Sequence, residues 1–135
     1  MKKMNLLNRD IHQLAMYYGV CSDEAVFKAE MKRLKIAEPS SPLKNGRAGA
    51  TAHFLQNNAT GDEVVIVFIK IDPKFTREQH YALLVHEGAH IWQRHKELIG
   101  EDDPSDEFEA YALQRIPQSL MYEFRDLTKG FKFKQ

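Results

Sequence analysis

The chain has 135 residues, and its 19 lysines and arginines equal its 19 aspartates and glutamates, so it carries no net charge. That balance, with no basic stripe carrying interleaved aromatics, argues against a nucleic-acid partner. The single cysteine, Cys21, excludes an internal disulfide framework and fits a reducing compartment. The longest apolar run, residues 64–69, is too short to span a bilayer, and Asn5, Asn8, Arg9 and Asp10 interrupt any signal-peptide-like apolar region. The expectation is one soluble cytoplasmic domain, 1–135, with no membrane partner.

In chain order, Asn8 is placed to cap a first helix to about residue 18, with Ile11, Leu14, Ala15 and Tyr18 on one face and Gly19 as its stop. Ser22 reads as the N-cap of a second helix to about residue 36, with Asp23 and Glu24 favourable in its first turn. These helices make a helical N-terminal part over 1–37, whose Phe27, Met31 and Leu34 repeat at core spacing. Residues 38–50, EPSSPLKNGRAGA, concentrate proline, serine and glycine and read as a joining loop. A strand over 51–56, a turn over 57–62 and a strand over 63–71 follow. The near-continuous β-branched and aromatic sequence of 64–69 suits a strand covered on both faces. His53, on the first of these strands, reads as structural.

Residues 76–100 are the most informative stretch. Thr76 and Gln79 make a capping box, Gly100 is placed to end the helix in the left-handed conformation, and no proline intervenes. Inside this helix stands His86-Glu87-Gly88-Ala89-His90, an H-E-x-x-H motif. Histidines four apart project from one helix face and can share one Zn²⁺ at roughly 2.0–2.1 Å each. Glu87, about 100° round the helix, is near enough to work on a water without being a ligand. That pattern points to metal-assisted hydrolysis, with one Zn²⁺ per chain.

After Gly100, Asp103 as N-cap and Pro104 at the first position announce another helix, which Pro117 disturbs or ends. A last helix is expected over about 119–128, and the tail KGFKFKQ reads as frayed. Two histidines do not close a catalytic zinc site, which needs a third protein ligand and an open position for water. A third histidine is a poor candidate: Gln93 and Lys96 stand where the longer histidine motif needs glycine and histidine, and His95, one place out of register, points away. Asp103 sits in a cap, which leaves Glu107 and Glu109, each followed three residues on by alanine. They point about 200° apart on a helix, so only one can bind. Spacing favours Glu109; the face shared with Ala110 and Tyr111 favours Glu107, which is preferred.

H-E-x-x-H on one helix and E-x-x-A on the next resembles the gluzincin branch of the zincin metallopeptidases. The segment LLVHEGAHIWQ…PSDEFEAYALQ is similar to small phage-encoded and antirepressor-type minimal zincins, over about residues 50–118. The resemblance implies an α+β fold in which a small sheet packs on the motif helix, followed by the glutamate helix, as a core over 51–128. It implies peptide-bond hydrolysis with Glu87 as general base. It also implies an edge strand, here 63–71, that aligns an extended peptide or protein substrate. Tyr81, His80 and Tyr111 are the candidates for steadying the oxyanion. Two departures stand out: Gly88 follows the catalytic glutamate, and Tyr111 or Leu113 stands four residues after the candidate ligand, where the family often has Asp or Asn. The alternative is a non-enzymatic interaction protein on the same fold, with or without zinc.

Overall fold

The computed structural model describes Met4, residues 14–44 and residues 48–135. Its element order is β1 (Tyr17–Cys21), α1 (Glu24–Arg33), β2 (Ala50–Gln56), β3 (Glu63–Ile69), α2 (Arg77–Ile99) and α3 (Asp106–Leu127), an α+β chain with one mixed three-stranded sheet among the described residues. No helix of the described residues is long and apolar enough to cross a membrane. The chain divides into two compact units, Met1–Ile71 and Asp72–Gln135. The division falls after β3.

In the first unit the sheet order is β1-β3-β2. β3 pairs in parallel with β1, Tyr17 opposite Val64 through Cys21 opposite Phe68. It pairs antiparallel with β2, Ala50 opposite Ile69 through Gln56 opposite Glu63. Residues from Val64 to Ile69 are all buried, as their uninterrupted apolar sequence requires. Val64, Ile66 and Phe68 join Phe27, Met31 and Leu34 of the α1 region, with Met4 and Cys21, in one apolar cluster. Phe27 touches both Phe68, edge to face at 5.7 Å, and His53 at 4.8 Å. His53 is buried and its Nε2 lies 2.7 Å from the Pro42 carbonyl, which makes it a structural donor.

Three expectations need correction here. The first helix falls partly outside the described residues, but Tyr17 and Tyr18 lie in β1, and Gly19 pairs with Ile66 instead of ending a helix. The aromatic and β-branched run YYGVC has strand character, which a parallel partner far along the chain realises. Asp23, not Ser22, caps α1: its carboxylate accepts from Ala25 N at 2.7 Å and Val26 N at 3.2 Å. The helix stops near Leu34, where Lys35 takes a positive φ of 57°. Finally, β3 is the central strand. Both of its edges are hydrogen-bonded, so it has no free edge on which to align a peptide substrate.

The second unit is built from α2 and α3. Ser105, not Asp103, caps α3, its side chain accepting from Phe108 N. Pro117 does not end the helix, which runs on to Leu127. A proline inside a helix costs a hydrogen bond, but here its ring lies against Gly88 of α2. A Cβ on Gly88 would stand 3.0 Å from Pro117 Cγ. Gly88 is therefore the notch that lets the two helices close, and Pro117 is the wedge that fills it. Tyr81 meets Phe124 at 6.2 Å, and Trp92 meets Phe108 at 5.6 Å, along the same seam. The tail is not frayed: Phe133 packs on His80 and Phe124, the Arg77 guanidinium sits over its ring at 5.1 Å, and Lys134 N donates to the Phe75 carbonyl.

Candidate metal centre

α2 holds its ends as its sequence requires. Thr76 Oγ1 accepts from Gln79 N at 3.1 Å, Gln79 Oε1 accepts from Thr76 N at 2.7 Å, and Gly100 closes the helix at φ 70°. On this rigid rod His86 and His90 face each other. Their rings stand 4.9 Å apart at 81°, and the two Nε2 atoms are 3.2 Å apart. Two imidazoles about 2.0–2.1 Å from one tetrahedral ion have nitrogens about 3.3–3.4 Å apart. The pair therefore stands at the separation that one zinc ion asks of two histidines.

The hydrogen-bond pattern orients the rings. His90 Nδ1 lies 2.9 Å from Gln93 Oε1. An amide oxygen only accepts, so Nδ1 carries the hydrogen and Nε2 offers a lone pair towards His86. With no ion between them, the hydrogen in the 3.2 Å contact then belongs to His86 Nε2. In the sequence, Gln93 stands out only as the residue that breaks the longer histidine motif. Its position three residues after His90, one turn away on the same face, was the signal that could have identified it.

Glu87 is 6% exposed, and among the described residues none donates a hydrogen bond to its carboxylate. Its oxygens are not among the sealed polar atoms that lack a partner, so the carboxylate tip keeps contact with solvent. The contrast with His95 is instructive. His95 is also buried, its ring tilts on Trp92 at 5.5 Å, and burial pushes its imidazole below the ordinary range. It faces away from the pair, as its register implied.

α3 does not bring a third ligand to the histidines. Gly88 and Trp92 each follow a motif histidine by two positions, so they lie about 200° round the helix, on nearly the opposite face. α3 packs on that opposite face, through Pro117 against Gly88 and Phe108 against Trp92. Glu109 is held there by Trp92 Nε1 at 2.8 Å and Lys96 Nζ at 3.4 Å. The indole hydrogen bond, with the ammonium beside it, keeps its carboxyl below the usual carboxylate range. Glu109 thus has the partners that its sequence neighbours did not suggest, and they tie it to the seam. Glu107 is exposed on α3. Among the described residues no group of three or more His, Cys, Asp or Glu side chains could hold a metal ion.

The three oxyanion candidates are also elsewhere. Tyr81 is in the seam against Phe124, and Tyr111 is 65% exposed on α3. His80 is fully buried with both ring nitrogens engaged, Nδ1 to the Thr76 carbonyl at 2.7 Å and Nε2 to Asp72 N at 3.0 Å. The structure thus brings together His86 and His90, with Glu87 next to them in the chain, and leaves Glu107, Glu109, Tyr81 and Tyr111 apart from them. No family model matches the chain, and neither a curated protein nor a solved structure matches it.

Proposed function

We propose that this chain is a zinc-dependent hydrolase of peptide bonds, of the minimal zincin type, with His86 and His90 holding the metal and Glu87 as general base. The observation that carries this reading is the 3.2 Å separation of the two Nε2 atoms on a capped helix. When bound, zinc lowers the pKa of water towards about 7 and polarises a carbonyl. Glu87 then takes the proton of the attacking water and hands it to the leaving amine. In this reading the third protein ligand is Glu107, with Glu109 as the alternative, and either must leave its present place to reach the pair. Glu107 has less to give up, since Glu109 would surrender its bonds to Trp92 and Lys96.

A second reading, a non-enzymatic interaction protein with or without zinc, is favoured by the packing of α3 on the face away from the histidines. Zinc content and hydrolysis of a casein panel separate the two. About one zinc per chain, chelator-sensitive cleavage, and a 10²–10⁴-fold loss in Glu87→Gln with zinc retained support the hydrolase. Zinc without cleavage, identical in the wild type and Glu87→Gln, leaves the interaction protein. No zinc after purification in its presence removes the hydrolase and leaves an interaction protein without metal.

A further inference from the structure

We propose that α3 pairs with α3 of a second copy of this chain, antiparallel about a two-fold axis, through the face it turns away from α2. Phe108, Tyr111 and Tyr122 are 53%, 65% and 51% exposed, the three most exposed large apolar side chains among the described residues. With Arg115, Gln118 and Arg125 they recur at alternating steps of three and four, the spacing of a helix–helix seam. At about 100° per residue, all six fall within about 100° of one another. The buried Pro117, Leu120 and Phe124 lie on the opposite side of the helix. Tyr122 is already fixed on the stripe, its hydroxyl accepting from Gln118 Nε2 at 3.3 Å and the Arg125 guanidinium lying over its ring at 5.1 Å. The first half of the helix lacks cover altogether, since none of residues 106–115 is buried. Helices in proteins draw most of their stability from a packed face, which a second copy supplies here.

Charge decides both the occupant and its direction. Glu101, Asp102, Asp103, Asp106 and Glu107 are exposed at the start of α3, and no lysine or arginine occurs from 97 to 114. Arg125, Lys129, Lys132 and Lys134 are exposed at the other end. These signs suit the helix's own dipole, and they also make the stripe complementary to itself. Antiparallel copies lay each acidic end beside the other's basic end, whereas parallel copies set like charges together. Centred between Arg115 and Gln118, the antiparallel register sets Tyr111 against Tyr122 of the second copy and Phe108 against its Arg125. Arg115 then stands opposite a neutral glutamine. The ring pair and the cation over a ring each occur twice, once on either side of the axis. Six half-covered rings, from the 150–250 Å² that each can bury, add on the order of 600 Å². That places the dimer at the low end of specific interfaces, below about 1,200 Å², with a Kd in the micromolar range. Neither zinc nor hydrolysis enters this pairing.

Sedimentation equilibrium of the full-length protein, without added metal and from about 1 to 500 μM, tests the proposal. A monomer–dimer equilibrium is expected, and it should weaken as salt rises from about 0.02 to 0.5 M. Tyr111→Asp should weaken the dimer at least about 10-fold. Tyr111 is exposed, so circular dichroism should show the helices of this variant intact. Arg125→Glu and Glu107→Arg should each weaken the dimer, and together restore it, because antiparallel copies bring these two positions near each other. A monomer at every concentration leaves the stripe to a different partner and overturns the proposal. So does a dimer that Tyr111→Asp leaves unchanged. A double charge variant no tighter than either single one overturns the antiparallel arrangement, and with it the proposal.

Discussion

His80 and the His86–His90 pair lie on the same helix and are opposites in construction. His80 is wholly buried, its Nδ1 bound to the Thr76 carbonyl and its Nε2 accepting from Asp72 N, and its ring packs against Phe124 and Phe133. Every bond it can make is made within the polypeptide. His86 is exposed, and among the described residues the Nε2 atoms of the pair meet each other and no other polar group. A histidine that serves the fold consumes both nitrogens where water cannot reach. In the zinc reading proposed above, the pair instead leaves its nitrogens where an ion could reach them.

The sharpest way to break this comparison is to truncate one histidine of each kind in the metal-free protein and follow unfolding by Trp92 fluorescence in urea. His80→Ala should cost about 3–5 kcal/mol, since it removes a buried ring and orphans the Asp72 N–H. His80→Phe should restore the packing but still cost about 1–3 kcal/mol for that unpaired donor. His86→Ala should change stability by no more than about 0.5 kcal/mol. Equal costs for His80→Ala and His86→Ala would show that the pair is structural too.

A smaller effect tests why α3 lies on the face away from the pair. Gly88→Ala gains about 1 kcal/mol of helix propensity but drives a methyl group to 3.0 Å from Pro117 Cγ. Overpacking of this sort costs about 1–3 kcal/mol, and the rigid proline ring cannot turn aside. Net destabilisation of about 1 kcal/mol is expected. Pro117→Ala in the same background should relieve it, and a double-mutant cycle measures the coupling.

The smallest effect is a pH dependence. Burial lowers the pKa of His95, so the unfolded chain binds more protons than the folded one as the pH falls below about 6.5. The stability that neutral His95 contributes is complete above about 6.5 and is lost as the pH drops through the lowered folded value. The slope of stability against pH below 6.5 should therefore be shallower in His95→Phe than in the wild type, and an unchanged slope would place the acid sensitivity elsewhere.

Much of the local structure is legible in the residues themselves. The capping box of Thr76 and Gln79, the left-handed Gly100, the NNATGD turn, the buried run of β3 and the facing of His86 and His90 follow from short-range rules of dihedral preference and helix period. The resemblance to E-x-x-A zincins is equally local, and so it could name Glu107 and Glu109 without placing them. What tertiary structure alone decided is where distant segments meet. β1 became a strand because β3 offered a parallel partner, α3 ran through Pro117 because Gly88 made room for the ring, and Glu109 turned to Trp92 and Lys96. Each depends on which face of one element is filled by another. The chain's own periodicity carries no record of that, because packing free energy is shared between residues far apart in sequence.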